Sequence, residues 1–366
     1  DMASLQEQVF NYLLKQIEQG KNNYLLPSQN ELCRHFGVST VTVRGAFAKL
    51  EKQGLISRQQ GKGCFIRKVS AATGPMRLFI IIAPETDLNS EFVTSLVNAS
   101  RKHAYHTIFY HFDGNEDILF YELAKIEPKV VLWMTPSLYL HRKTIQKLLS
   151  MPFYLMLFNR IYDHLAISYV SGDFIADGRK MGEILAASGV RNVLYLGYDM
   201  HMMYAKYRYD GIVEVLQKVG GKVSVIDARP VPQSDMIACD KSLLIKASEC
   251  LRKEAFDAIV CAQGKIWNTL MRLLQTTRID SSAMWFGTFN CLSETEWFSP
   301  RIVVLNQQVA NMAEEAIQLA TRLLKTHTAE HLLFQAVLQT PPKNEQYSRQ
   351  NDSASEIDSK IKNLKF

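Results

Sequence analysis

The chain has 366 residues, more than one ordinary hydrophobic core holds, so its length predicts two or three domains. Hydrophobic residues make up 47% and charged residues 21%, a balance typical of a globular protein rather than a disordered one. No apolar run reaches the roughly 18 residues of a membrane-spanning helix, and the start lacks the basic and apolar regions of a signal peptide. We therefore expect a cytoplasmic protein that does not contact a membrane.

The six cysteines are scattered, with no CxxC pair and no cluster of cysteine and histidine. This spacing indicates neither a zinc site nor a disulfide framework, and reduced thiols are the expectation. His103 and His106 could flank a metal ion, but they lead into a strand-like run without a nearby set of carboxylate ligands. The sequence therefore predicts no metal site.

The net charge of +6 is concentrated near the beginning of the chain. Residues 1–70 hold ten Lys and Arg against five Asp and Glu, which leaves an excess of only one for the rest. An excess of this kind on a small domain is the electrostatic signature of a polyanionic partner. Solvated basic faces are common, however, so the charge needs the support of a motif.

Two helices are predicted in the first 36 residues. The apolar residues that recur at helical spacing and define the first helix are Leu5, Val9, Leu13 and Ile17. Ser28 and Glu31 form the sequence of a capping box, in which each side chain bonds the backbone amide of the other residue. A short second helix therefore begins there and ends near Phe36.

A third helix and a hairpin complete the pattern. Ser39 can cap the third helix, and Gly54 is expected to end it. The core-facing residues of this helix are Val43, Phe47 and Leu50. Two short apolar segments, 55–58 and 64–67, flank a turn that contains two glycines, which predicts a β-hairpin.

Helix, short helix, turn, helix and hairpin make a winged helix-turn-helix, whose third helix enters the major groove of DNA. The segment LPSQNELCRHFGVSTVTVRGAFAKLEKQGLISRQQGKGCFI resembles the DNA-binding domain of GntR-family regulators, over roughly residues 4–68. The resemblance implies double-stranded operator DNA as the partner. The predicted DNA contacts are Ser28, Ser39, Thr40, Thr42, Arg44, Gly61, Lys62 and Gly63.

Two positions depart from the family pattern, because Asn30 and Thr40 stand where the family usually carries arginine. A guanidinium that is bidentate to a base contributes about 1 to 3 kcal/mol of discrimination, so the operator sequence cannot be transferred from relatives. Arg44 and Lys62 can also have surface roles that do not involve DNA. Arg44 can be a surface arginine whose stem covers the helix, and Lys62 can be a solvated turn lysine.

Beyond residue 75, apolar strand-like runs alternate with amphipathic helical stretches. This alternation indicates an α/β fold with parallel sheets covered on both faces. We predict two doubly wound lobes with a ligand cleft outside the strand ends. The predicted lobes are 76–172 with 288–325 and 173–287 with 326–340. Turn-prone residues 69–75 link them to the winged helix at 1–68, and polar residues 341–366 form a flexible tail.

Residues 76–340 are similar to the LacI-type effector domain, which is related to periplasmic sugar-binding proteins. The most specific stretch is ISYVSGDFIADGRKMGEILAASGVRNVLYLG. The two resemblances together imply a GntR winged helix fused to a LacI-type sensor, an architecture known for bacterial arabinose repressors. They imply a homodimeric transcriptional regulator, a repressor, whose DNA binding responds to a small, sugar-like polar effector.

The predicted effector contacts are Asp173, Arg208, Gln263, Trp267, Phe289 and Gln307. Arg208 falls where the family places a ligand-binding arginine, and its planar fork suits paired oxygens. The alternative is a helix-surface arginine paired with an acid such as Asp210. The family's usual aspartates are absent from the loops that hold Gln263 and Phe289, which argues against a typical neutral sugar. Trp267 and Phe289 can stack on an apolar ring face or belong to the core.

The principal alternative is a ligand-binding protein or an enzyme of two-lobed α/β fold that binds nucleic acid only incidentally. The sequence contains no GxSxG elbow, HExxH motif or Walker loop. We therefore predict no catalytic residues and no cofactor. A purely architectural DNA-binding protein would have no use for the second part of the chain, and a transport binding protein would need a signal peptide.

Overall fold

The structure, a computed structural model, describes residues 4–20, 24–53, 55–59, 62–67, 76–82, 90–135, 142–162, 166–228, 236–277, 279–290, 292–293 and 296–341. The predicted linker 69–75 lies outside the described residues, as do Gly54 and Gly61. Of the predicted tail, only Pro341 is described. Within the described ranges, no helix is both long and apolar enough to cross a membrane.

The first part of the chain has the predicted helices and hairpin. Its elements are α1 (Leu5–Gln19), α2 (Gln29–Phe36), α3 (Thr40–Lys52), β1 (Ile56–Gln59) and β2 (Gly63–Ile66). Both predicted caps are confirmed. Ser28 Oγ accepts from the Glu31 amide at 3.3 Å while the Glu31 carboxylate accepts from the Ser28 amide at 2.7 Å. Ser39 Oγ accepts from the Thr42 amide at 3.3 Å.

The hairpin is antiparallel, with Ile56 opposite Ile66 and Gln59 opposite Gly63. One apolar core joins it to the helices. The fully buried side chains of this core include Val9, Leu13, Leu32, Val43, Phe47, Leu50 and Ile66. Because these residues hold the inner face of α3 in place, the outer face of that helix has a defined orientation.

Strands and helices alternate in the rest of the chain. The elements are β3 (Met76–Ile82), α4 (Glu91–Lys102), β4 (Tyr105–His111), α5 (Glu116–Ile126), β5 (Val130–Trp133), α6 (Arg142–Leu149), β6 (Tyr154–Phe158), β7 (Ser168–Gly172), α7 (Phe174–Ala187), β8 (Asn192–Gly197), α8 (Met203–Lys218), β9 (Lys222–Asp227), α9 (Met236–Lys253), β10 (Ala258–Cys261), α10 (Trp267–Thr277), β11 (Trp285–Phe289), β12 (Ile302–Asn306), α11 (Val309–Thr326), β13 (His331–Phe334) and β14 (Val337–Leu338).

These strands form two six-stranded sheets, in the orders β13-β7-β6-β5-β3-β4 and β14-β12-β11-β10-β8-β9. Strands β3 to β7 pair in parallel in the first sheet, and strands β8 to β12 do so in the second. Strand β14 adds an antiparallel edge by pairing with β12. Strands such as β5, β6 and β10 are buried at every residue, as a sheet covered on both faces requires. The predicted α/β fold with parallel sheets is confirmed.

The chain divides into two compact units, whose boundaries differ from the predicted lobes. Unit 1 comprises Asp1–Ser171 and Val309–Leu332, and unit 2 comprises Gly172–Gln308 and Leu333–Phe366. The chain therefore returns to unit 1 at Val309 rather than at residue 288. The reason is that β12 pairs in parallel with β11, with Thr288 opposite Val304, and so stays in the second sheet.

The return to unit 2 also differs, because residues 326–332 still belong to unit 1, where β13 pairs next to β7. The winged helix shares unit 1 with the first sheet. Arg67, at the end of the hairpin, is buried, donates to the Phe153 carbonyl and packs over the Tyr154 ring at 5.3 Å. That residues 1–68 form a domain of their own stays a prediction.

Candidate nucleic-acid interface and effector site

Helix α3 presents one face to the core and one to solvent. Its buried residues are Val43, Ala46, Phe47 and Leu50. Thr40, Val41, Arg44 and Ala48 are exposed, and the last three lie on one stripe of the helix at spacings of three and four residues. Sequence reasoning missed Val41, whose exposed fraction is 75%. An exposed stripe on the third helix is the geometry that reads a major groove.

Arg44 is held by a side chain from the neighbouring helix. Its Nε donates to Oε1 of Gln29, the first residue of α2, at 3.4 Å. Sequence reasoning did not identify Gln29, because the pattern does not show which residues of α2 face α3. The contact steadies the arginine stem and leaves the terminal nitrogens of an exposed guanidinium available to a partner.

The predicted serine and threonine contacts surround the first turns of α2 and α3. Ser39 is the N-cap of α3 and Thr42 lies in its first turn, with Ser39 Oγ and Thr42 Oγ1 3.0 Å apart. Ser28 is exposed at the start of α2. Hydrogen bonds from Ser28 lower the pKa of the Glu31 carboxyl, which favours the ionised form that accepts from the Ser28 amide. Backbone amides and the helix dipole at such ends favour phosphate groups.

The tip of the hairpin carries Lys62 and Gly63, both exposed. Gly63 has a φ of 113°, and a Cβ there would lie 2.7 Å from Leu25 Cδ1. The turn therefore requires glycine at this position. Lys62 donates its amide to the Gln59 carbonyl at 3.0 Å, which closes the turn and leaves the ammonium group in solvent. The remaining predicted wing contact, Gly61, lies outside the described residues.

Three of the predicted effector residues meet at one edge of the second sheet. Phe289 ends β11, Gln263 follows β10 and Gln307 follows β12. Because these strands are parallel neighbours, their carboxyl ends lie side by side, where ligands of open α/β sheets bind. Gln307 also approaches Gly172 so closely that a Cβ there would lie 2.4 Å from its Nε2.

Two other predicted effector residues have structural roles. Asp173 caps α7, accepting from the Ala176 amide at 3.1 Å, and remains half-buried. Trp267 is fully buried in the core of unit 2, where its indole N–H donates to the Glu296 carbonyl at 3.2 Å. The placement of Trp267 agrees with the core alternative rather than with stacking on a ligand.

Arg208 is buried, with an exposed fraction of 2%. Its Nη1 donates to the Ala262 carbonyl at 2.8 Å, while Nε and Nη2 have no hydrogen-bond partner among the described residues. Its guanidinium carbon lies 4.2 Å from the centroid of the Phe289 ring. This burial contradicts the surface alternative, and Asp210 pairs with Lys206 at 2.6 Å.

A close helix contact explains how Arg208 reaches this position. A Cβ on Gly178 of α7 would lie 2.2 Å from the Arg208 carbonyl oxygen, and a Cβ on Gly211 of α8 would lie 2.3 Å from the Ile175 carbonyl oxygen. Only glycine at both positions lets the two helix backbones approach so closely. Burial lowers the pKa of Arg208, and Asp177 opposes this shift.

Sequence reasoning missed Asp177, a buried carboxylate on α7. Its Oδ1 accepts from the Ala336 amide at 2.7 Å, and its Oδ2 has no partner among the described residues. Burial raises the pKa of Asp177 to about 6, although the Arg208 charge opposes the rise. The signal was its position four residues after Asp173, on the same face of the helix. No group of three His, Cys, Asp or Glu able to hold a metal ion occurs among the described residues.

The geometry defines a winged helix-turn-helix that shares unit 1 with the first sheet, and a second α/β unit that holds a buried arginine at the carboxyl edge of its sheet. Residues 5–66 match the family model "Bacterial regulatory proteins, gntR family", so the first part of the chain is a GntR-type helix-turn-helix domain. The match covers this domain and not the rest of the chain.

Two regulators of Bacillus subtilis are similar over the same domain. The HTH-type transcriptional regulator YurK is 50% identical over 42 residues, or 12% of this chain and 17% of its own length. The HTH-type transcriptional repressor NagR is 38% identical over 63 residues, or 17% of this chain and 26% of its own length. The chain thus matches about a quarter or less of the length of these relatives.

The larger part of the chain has the fold of LacI-type regulators. A regulatory protein of LacI family from Chloroflexus aggregans superposes with a TM-score of 0.60 at 14% sequence identity. The superposition covers 73% of this chain and 98% of that structure. At this identity the likeness establishes the fold alone, and the predicted two-lobed, LacI-like architecture is confirmed.

Proposed function

We propose that the protein is a sequence-specific transcriptional regulator, a repressor, whose binding to operator DNA is controlled by a small polar effector. The observation that carries the proposal is the exposed face of α3, held by a buried core, within a domain that matches the gntR family. Regulators of this domain type include a protein named as a transcriptional repressor.

The α3 face enters the major groove, and Arg44 contacts a base there. The Gln29 contact restrains its side chain, which lowers the entropy lost when its guanidinium binds guanine in a bidentate manner. Ser28, Ser39, Thr40 and Thr42 contact phosphates near the helix ends. The wing residues Gly61, Lys62 and Gly63 follow the DNA backbone, and Lys62 supplies the charge.

The effector binds at the carboxyl edge of the second sheet. Among the described residues, two buried nitrogens of Arg208, Nε and Nη2, have no acceptor oxygen, and a buried charge without partners is costly. A ligand with paired oxygens satisfies both at once. Phe289, Gln263, Gln307 and Asp173 complete the proposed site, which suits a sugar-like or related polar molecule.

The remaining features of the proposal concern organisation. Residues 1–68 bind DNA, 69–75 connect, 76–340 bind the effector and carry the dimer contact, and 341–366 are a tail. A homodimer gives two linked winged helices, whose effective concentration raises affinity for a paired operator. The protein acts in the cytoplasm on nucleoid DNA, without an enzymatic activity or a cofactor.

Selection from a random-sequence duplex pool with the full chain tests DNA recognition. We expect enrichment of one operator motif, and weaker binding as salt is raised because phosphate contacts release counterions. Arg44→Ala should lose most of the preference for the enriched motif, whereas Arg101→Ala, which removes an exposed arginine of α4, should not. Failure to enrich any motif would contradict the proposed function.

A further inference from the structure

We infer that Val41 reads the methyl group of a thymine in the operator, and so determines sequence preference beside Arg44. The inference rests on the proposed function and deepens it. It assigns base recognition to an apolar side chain on a face whose other predicted contacts are polar or charged.

Val41 is a large apolar residue that α3 leaves exposed. It lies in the first turn of α3 with three quarters of its surface in water, although the opposite face of the same helix supplies buried core residues. Arg44 and Ala48 continue its stripe, and both are exposed. A β-branched apolar side chain costs helix propensity and gains no burial at this position. A partner that covers this side chain would supply the burial that the free protein does not.

The chemistry of the major groove identifies that partner. Among the four bases, only thymine presents a methyl group in the major groove, and apolar side chains recognise it by contact. The gntR family match and the cap at Ser39 place Val41 at the end of the helix that approaches the base edges. A small isopropyl group can cover a methyl group without displacing the bonds made by Arg44.

The position of the thymine follows from helix geometry. Val41 precedes Arg44 by three residues, which is about 4.5 Å along the helix axis. This distance is of the order of the roughly 3.4 Å between base pairs. The thymine should therefore lie within one or two base pairs of the pair that Arg44 contacts.

The test uses the full chain and the operator motif enriched from random duplexes. Each thymine of the motif is replaced singly by uracil, which differs only in lacking the methyl group. We expect affinity to fall about fourfold at one thymine position per bound winged helix, equivalent to the roughly 0.8 kcal/mol of one buried methyl group. Replacement at other thymines should change affinity much less.

Val41→Ala should weaken binding to the thymine operator by a similar factor and abolish the difference between thymine and uracil. The substitution cannot act by unfolding α3, because Val41 is exposed and alanine is the better helix former. Val337→Ala is the matched control, since it shortens an exposed valine in unit 2 and should leave both affinities unchanged.

The outcomes are distinguishable. If no duplex is enriched, the proposed function fails before Val41 is tested. If an operator is bound but uracil has no effect within two base pairs of the Arg44 contact, Val41 does not read thymine. A thymine preference that persists in Val41→Ala would assign the methyl contact to another residue and would equally overturn the inference.

Discussion

Replacing Arg208 by methionine should remove effector binding without weakening the fold. The arginine is buried, yet two of its nitrogens, Nε and Nη2, have no partner in the part of the chain that the structure describes. Each unsatisfied buried group costs about 1 to 3 kcal/mol, and methionine removes both. The substitution also removes the hydrogen bond to the Ala262 carbonyl and leaves that oxygen without its donor, which costs about 1 to 3 kcal/mol. The balance favours Arg208→Met by about 1 to 3 kcal/mol in the free energy of unfolding.

The assay is chemical denaturation at pH 5, where the raised pKa of Asp177 keeps that carboxyl mostly protonated and its attraction to Arg208 small. Arg179→Met is the control, because Arg179 makes an exposed ion pair with Glu214 at 2.8 Å, and such pairs contribute about 0 to 1 kcal/mol. In parallel, compounds that raise the melting temperature of the wild type should not do so in Arg208→Met. A lower free energy of unfolding in Arg208→Met than in the wild type would contradict this reasoning and show that the arginine supports the fold.

Three further outcomes are expected. Between about pH 4 and pH 6, Asp177→Asn should become progressively more stable than wild type, because the raised pKa of the folded aspartate penalises its ionisation. The difference in the free energy of unfolding should reach roughly 3 kcal/mol once the aspartate is fully ionised. Parallel stability curves across that range would contradict the burial of this charge. Ser28→Ala should lower the free energy of unfolding by about 1 kcal/mol through loss of the capping box, measured by urea denaturation; no change would mean that the cap is not formed in solution. In gel-shift titrations, Arg44→Ala should reduce specific binding more than non-specific binding, while Lys62→Ala should weaken both equally. The same ratio of specific to non-specific affinity in the two variants would show that these roles are wrongly assigned.

Local features of the fold could be predicted because they depend on neighbouring residues. The Ser28 and Ser39 caps require only a hydroxyl and a nearby amide, and the hairpin requires two apolar segments around a turn. The chain crossovers could not be predicted in the same way. An apolar run such as 302–306 predicts a strand, but its partner is decided by packing between distant segments.

In the candidate sites, too, features that depend on neighbouring residues could be predicted, and features that depend on packing between distant segments could not. The exposure of Arg44 on α3 follows from helical periodicity, whereas the Gln29 contact depends on how α2 crosses α3. The burial of Arg208 depends on a helix approach allowed by Gly178 and Gly211, residues far apart in the sequence. Trp267 was predicted as an effector contact but lies in the core, because an aromatic residue near a strand end has the same sequence pattern in either place.

The most direct test of the account is an anisotropy titration of the full chain with the enriched operator and with a scrambled duplex of equal length, at two salt concentrations. The protein should bind the operator at least about a thousandfold more tightly than the scrambled duplex, lose affinity for both duplexes steeply with salt, and lose most of its preference in Arg44→Ala. Equal affinity for the two duplexes, or a preference unchanged in Arg44→Ala, would contradict it.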